Sequence, residues 1–508
     1  MKTYWILFKS SNGDGTFNAG VCDTSNVSDN TDVGQSGGDI TPAPCNNIRD
    51  ELAWNMPSES SLLMSSSNLF HNFDETDGIP QVDHRLVAWD VDVLQSLIKK
   101  IIAMRGTNNT PIPDSLDVQS KSEPGKTVLD EVREFITLPN KPATYTQDPT
   151  TIELDPKVVA QLTEFVTAIA TMYNDNPFHA FSHACHVLQS VIKLLARVVT
   201  PDSGTGKEQL TEVKLHQYTY GIASDPLVQF ACAFTALIHD LDHPGVPNGQ
   251  LVKEETDLAV LYKNKSVAEQ NSVDLAWALF MEPRFKDLRA AIYDTKEEMD
   301  RFRQLVVNAV MATDVMDKEL NALRRIRWDK AFAIADYDIA LVDDDQQREH
   351  ANRKATIVIE HLIQSSDIAH TMQHWHVYVK WVSSKTRMPS KRCRCVHLCS
   401  TLFRLLLSLQ NERLFNEMYR AYVSGRAEKN PAEFWYDGEI GFFKFYVIPL
   451  AKKLKDCGVF GVASDEYLTY ATLNLKEWEL KGKDMVQQYL EVYDVDSSSD
   501  GDDSVIEA

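Results

Sequence analysis

From about residue 85 to residue 485, apolar positions recur at the spacing of helices. Val158, Val159, Leu162, Phe165, Val166 and Ile169 form one stripe, and LAWALF and RFRQLVVNAVM behave alike. Period-two alternation is scarce, so the pattern predicts a compact, multi-helix, nearly all-α domain. Three of its helices each carry imidazole or carboxylate groups on one stripe. One opens at Asp225, a capping residue, with Pro226 in its first turn, and is expected to stop at Pro244 and Gly245. It places His239 and His243 four residues apart on one face. A second is expected from Asn176 and Pro177, with His179, His183 and His186 on a shared face. A third, KATIVIEHLIQSSDIAH, runs apolar through Ile357, Val358, Ile359, Leu362 and Ile363 before presenting Asp367 and His370.

Both ends depart from this pattern. From Met1 to about His84 the chain is rich in Ser, Asn, Asp and Gly, with too few apolar residues in register to offset the entropy of ordering. A disordered leader is expected there, and residues 486–508 are expected to be an acidic, solvated tail. The helical domain is placed at 85–485, without internal repeats. The 508-residue chain is 43% hydrophobic, enough for a sizeable core, and its formal charge of −22 gives no reason to hold a nucleic-acid backbone. No apolar run reaches the roughly 18 residues of a membrane span. The eight cysteines are scattered and expected to be reduced. A soluble, cytoplasmic chain without a nucleic-acid partner is the expectation.

A single helical histidine is an ordinary core or surface residue. Histidines and aspartates buried together without a cation, however, cost several kcal/mol each unless paired. A metal resolves that cost. His183, His239, Asp240 and Asp367 make a two-nitrogen, two-oxygen set suited to zinc, and an Asp beside a ligating His can bridge to a second, harder ion.

HDLDHPGVPN satisfies every fixed position of His-Asp-x-x-His-x-Gly-x-x-Asn, and with it the chain resembles the class I 3′,5′-cyclic nucleotide phosphodiesterases. FHAFSHACHV, KSVAEQN with Glu269, MATDVMD with Thr313 and Asp314, and SSDIAH with Asp367 support the resemblance. It covers roughly residues 158–480 and implies a compact, all-α, HD-type metal-dependent phosphohydrolase. By resemblance, His183, His239, Asp240 and Asp367 hold zinc. Asp240 bridges to a second ion, magnesium or manganese, whose waters are held by His243, Glu269 and the Thr313 region. A water between the two metals attacks the cyclic phosphorus of cAMP or cGMP, and His179 protonates the departing 3′ oxygen, giving the 5′-monophosphate in signal transduction. Relatives often sit at the end of longer signalling proteins, which leaves room for an upstream sensor or membrane region. Oligomeric state and regulator are not implied.

The chain also departs from the family. Tyr-His-Asn around the acid is Phe178-His179-Ala180, and the Asp of His-Ala-x-Asp-Val is His186, which lowers the expected rate. The base-binding Gln is Glu439, followed by Phe442 for stacking. Leu414 and Trp381 are the expected apolar jaw, and His370 stands where many members place an Asn near the base. An ionised carboxylate only accepts hydrogen bonds. Guanine N1–H and its 2-amino group, or the adenine 6-amino group, would satisfy Glu439, which points toward cGMP or dual specificity.

Residues 382–410 carry six Lys or Arg, no acid and three of the eight cysteines. They interrupt what the family builds as one helix joining Trp381 to Asn411. We read this segment as an anomalous insertion, translated intron or gene-model error. A metal knuckle of Cys393, Cys395, His397 and Cys399, or a basic surface loop, are the other readings. Two further functions stay open: a non-catalytic cyclic-nucleotide sensor, and an HD-type hydrolase of another phosphoester.

Overall fold

The computed structural model describes residues 83–105, 125–142, 144–198, 212–332, 343–375 and 410–499. Residues 1–82 of the expected leader, Trp381, the insertion through residue 409 with its cysteines, and the last nine residues of the expected tail lie outside the described residues. The helices are α1 His84–Arg105, α2 Pro156–Thr171, α3 Phe181–Ala196, α4 Glu212–Tyr218, α5 Pro226–Ile238, α6 Asn248–Lys253, α7 Asp257–Leu261 and α8 Val267–Phe280. They continue with α9 Lys286–Ile292, α10 Lys296–Met311, α11 Lys318–Phe332, α12 Asp344–Asp367, α13 Gln410–Val423, α14 Trp435–Phe442, α15 Ile448–Asp456 and α16 Val462–Ser499. The described residues form no strand, as the apolar spacing predicts. Among them, no helix is long and apolar enough to cross a membrane.

The organising element is α5. Every residue of it except Gln229 is buried. Apolar residues all round its circumference suit a helix enclosed by others, and α1, α3, α10 and α12 pack about it. Phe234 anchors its middle. Its ring stacks on Phe165 of α2 at 5.6 Å and meets Phe280 of α8 and Phe302 of α10 edge-on at 5.5 and 5.3 Å. Asp225 caps the helix as predicted, its side chain accepting from Leu227 N at 2.9 Å, and it also pairs with Arg301.

Two predicted boundaries are corrected. The tail was placed from residue 486, yet α16 runs unbroken through that point to Ser499, and Met485, Val486 and Tyr489 are buried in a second apolar cluster with Phe415, Trp435 and Trp478. The apolar stripe continues beneath an acidic surface, so composition misplaced the limit. Gln410, assigned to the insertion, opens α13 and is buried.

Asp225→Ala removes a helix cap and leaves Arg301 without its partner. The expected loss is about 3 kcal/mol of unfolding free energy, measured by denaturant titration; an unchanged midpoint would contradict the role of this cap.

Candidate metal centre and its acid

A helix that ends inside a core must find acceptors and donors for its last turn away from water. At the end of α5 these are site residues and their neighbours. His239 Nδ1 donates to Ala236 O at 3.0 Å, Tyr173 OH donates to Leu237 O at 2.8 Å, and Ser272 Oγ donates to Leu241 O at 2.8 Å. The chain then turns sharply. His243 N donates to Asp240 O, and Asp242 takes φ +58°, a left-handed conformation that costs about 1 kcal/mol for a residue with a Cβ but that Asp tolerates better than most.

The helix therefore stops at Ile238, with His239 as its cap residue, well before the expected Pro244 and Gly245. His239 and His243 consequently do not share a helical face. His179 is a second correction: α3 starts at Phe181, so His179 lies in the preceding loop. Asn176, read as a helix start, instead donates to His243 O at 2.6 Å and to His179 O at 3.2 Å. His183 and His186 are on α3 as expected, Asp367 is the last residue of α12, and His370 follows in a short 3-10 turn.

His183, His239, Asp240 and Asp367 converge, with one ligand atom from each lying within 4.8 Å of all the others. His183 Nε2 is 3.0 Å from Asp367 Oδ1 and 3.7 Å from Asp240 Oδ2, while His239 Nε2 is 3.0 Å from Asp240 Oδ2 and 3.6 Å from Asp367 Oδ1. Ligands at metal–ligand lengths of about 2.05 Å in a tetrahedron lie about 3.3 Å apart, so the spacing fits a single ion. Two further observations favour that fit. His239 gives its Nδ1–H to a backbone carbonyl, the arrangement that aims the Nε2 lone pair at a metal. That buried Nε2 makes no hydrogen bond despite the nearby carboxylates. In the protein alone, burial would lower the pKa of His239, but Asp240 and Asp367 outweigh it and hold it well above the usual histidine value. Burial likewise opposes ionisation of Asp240, and His239 and His179 overcome it to keep the acid well below the usual carboxylate value.

Beside this group lies a second cluster of His179, His243 and Glu417. Its two imidazoles stack at 3.7 Å with 30° between planes, so their in-plane lone pairs run side by side rather than converging on one ion. Its carboxylate is turned to the His179 side of the stack. Glu417 Oε2 accepts from the backbone N–H groups of Phe178 and His179 at 3.0 Å each, and Oε1 meets His179 Nδ1 at 2.5 Å. Burial would lower the pKa of His179, but the Glu417 carboxylate, with Asp240 and Asp367, raises it to about 9. Glu417 itself is lowered to about 2, chiefly by His179 acting against burial. Burial and the His179 charge bring His243 down to about 4. Gly245 N donates to His243 Nδ1 at 3.2 Å, which leaves the proton of the neutral ring on Nε2.

Glu269 accepts from Asn248 Nδ2 at 2.8 Å, and burial, with Asp314 adding, pushes its carboxyl up to about 8. Thr313 turns its hydroxyl back to Val310 O at 2.7 Å, while its neighbour Asp314 accepts from Ser266 Oγ at 2.7 Å and from Asn248 at 3.4 Å. His370 lines a cavity with His183, His186, Asp367 and Gln410. His186 Nδ1 meets Gln410 Nε2 at 2.9 Å. Burial lowers both His186 and His370 to about 3. Glu439 is buried on α14; Phe442 stacks on Tyr446 at 5.4 Å and, with Leu414, packs against the second apolar cluster. The sequence offers Asn176 only as a helix opening and Asn248 only as the last fixed position of HDLDHPGVPN, and it carries no signal for Glu417, in NERLFNEMYRAY.

Residues 178–388 match the family model described as 3′5′-cyclic nucleotide phosphodiesterase. A mouse protein, "Dual specificity calcium/calmodulin-dependent 3′,5′-cyclic nucleotide phosphodiesterase 1C", is 27% identical over 229 residues, 44% of this chain and 27% of that protein. A Dictyostelium discoideum "cGMP-specific 3′,5′-cGMP phosphodiesterase 3" is 23% identical over 225 residues, 44% of this chain and 40% of that protein. The chain thus spans less than half the length of either relative. The crystal structure of the phosphodiesterase domain of the RhoPDE fusion protein from the choanoflagellate Salpingoeca rosetta aligns with a TM-score of 0.47 at 20% identity, over 84% of this chain and 99% of that one. The matched segment contains all four converging His and Asp residues, and over residues 178–388 this chain is similar to the 3′,5′-cyclic nucleotide phosphodiesterases.

Proposed function

We propose that the chain hydrolyses 3′,5′-cyclic nucleotides to 5′-monophosphates in signal transduction. The observation that carries this reading is the convergence of His183, His239, Asp240 and Asp367 beside His179, whose ring lies 6.4 Å from that of His183. Those four side chains would hold zinc, with Asp240 shared with magnesium or manganese, and the bound ions would supply Lewis acidity: charge neutralisation on phosphate and a lowered pKa for water. The second ion's surroundings would come from His243, Glu269 and the Thr313–Asp314 turn.

The chain's own groups handle the leaving group. His179 keeps its proton at neutral pH because Glu417 faces its Nδ1, so Nε2–H is the donor for the 3′ oxygen. His243 is neutral and its Nε2–H is a fixed hydrogen-bond donor alongside. Phe178, in place of a polar residue, packs on the His183 ring at 4.5 Å and shields it from water on that side. Among the base-binding candidates, Glu439 would accept from purine donors, with Phe442 and Leu414 as apolar walls and His370 near the base. This favours cGMP or both nucleotides.

The test is to purify the full chain, measure bound metal, and follow cAMP and cGMP by chromatography. His239→Ala and Asp240→Ala should lose metal and hydrolysis together, whereas His179→Ala should keep its metal and lose about 100-fold or more in kcat. Metal loss in the His179 variant would contradict its role as acid. Nucleotide binding without 5′-product would make the protein a sensor, and metal without either would point to another phosphoester.

A second prediction follows from the His179–Glu417 pair. Glu417 has a folded pKa of about 2, below its unfolded value of about 4.5, so its stabilisation is present above pH 4.5 and fades as pH falls toward 2. His179 has a folded pKa of about 9, above about 6.5 unfolded, so its stabilisation is complete below pH 6.5 and is lost as pH rises through 9. Glu417→Gln should lower the His179 pKa, read by NMR titration of the metal-free protein. It should also flatten stability over both windows and move the alkaline limb of kcat/KM to lower pH. An unshifted His179 titration would contradict the pairing.

A further inference from the structure

Asp242 belongs to neither of the two clusters, although it lies between Asp240 and His243. Its carboxylate is spent elsewhere. Oδ1 accepts from Asn174 Nδ2 and Oδ2 from Asn271 Nδ2, each at 3.1 Å. Asn174 comes from the loop that leads to His179, and its amide donates a second bond to His243 O at 3.0 Å. Asn271 comes from α8 on the other side, next to Ser272, which holds Leu241 O. Asn176 completes the first seam by bridging His243 O and His179 O. A carboxylate is the side chain that can accept from two amides at once through opposed oxygens, and the left-handed backbone at Asp242 turns it toward both.

We propose that Asp242 is a positioning residue for the hydrolysis described above. By bracketing Asn174 and Asn271 it locks the loop carrying His179 against the turn carrying Asp240, and so fixes the reach of the acid relative to the His/Asp group. The inference rests on His179 acting as proton donor. The backbone and side-chain parts of its role are separable. Asp242→Gly accepts the positive φ freely but removes both bonds. Asp242→Asn combined with Asn271→Asp rebuilds them with donor and acceptor exchanged: the new amide oxygen accepts from Asn174 and its NH2 donates to the new carboxylate.

The experiment compares these two variants with the wild-type full chain. Asp242→Gly should lower kcat about 10- to 100-fold, the cost of a misplaced catalytic group, with KM within about twofold and metal content unchanged. Hydrogen exchange of peptides covering residues 173–180 should lose protection in that variant, while those from the middle of α5 keep theirs. The exchanged pair should recover kcat to within about threefold of wild type and restore protection of 173–180. Wild-type kcat in Asp242→Gly, loss of its metal, or an exchanged pair as impaired as the glycine variant would each overturn the proposal. Should the wild-type chain hydrolyse neither nucleotide, the reading of the function fails. The exchange data still decide the clamp, since unchanged protection of 173–180 in Asp242→Gly overturns it.

Discussion

The buried C-terminal end of α5 is the constraint on which the rest depends. Twelve apolar or neutral residues enclosed on every side bring the chain into the middle of the molecule, where the last carbonyls have no water. Tyr173, Ser272 and the imidazole of His239 supply the missing donors. One of those donors is thereby fixed in ring orientation and tautomer, with its second nitrogen aimed at two carboxylates. The same bonds that terminate the helix pre-organise a candidate ligand set, so core stability and site geometry are not separable here.

Charge balance explains how so many titratable groups tolerate burial. Asp240 and Asp367 are held ionised against desolvation by imidazoles, and His179 is held protonated against desolvation by Glu417. The two clusters are coupled, because Asp240 and Asp367 also help to hold the proton on His179. His243, stacked on the charged His179 ring, is driven neutral. Neighbouring histidines thus take opposite protonation states: burial and the His179 charge keep His243 neutral, while Glu417 overcomes burial at His179.

Part of the candidate site was legible because His183 and Asp367 sit on strongly periodic helices. The stripe that buries α3 also places His183, and the run from Ile357 to Ile363 fixes where Asp367 emerges. Loops were less legible. Asn176-Pro177 is a common helix opening and predicts His179 on a helix, yet the Asn176 amide has better partners in the carbonyls of His179 and His243. Likewise α5 ends at Ile238 rather than Pro244, because side chains from α8 and the 173–180 loop terminate it first.

Local patterning is enough for the helical class, for the capped and mostly apolar α5, and for His239 and Asp240 just past its end, since periodicity and short-range spacing act within one element. Which charges face one another depends on packing. Glu417, more than 230 residues along the chain from His179, sets that histidine's proton, and Asn174 and Asn271 converge on Asp242 from elements on opposite sides. Hydrogen bonds need their partners within about 3 Å and charge interactions weaken with distance and screening, so the partners are fixed by how helices and loops pack, which no local pattern along the chain encodes.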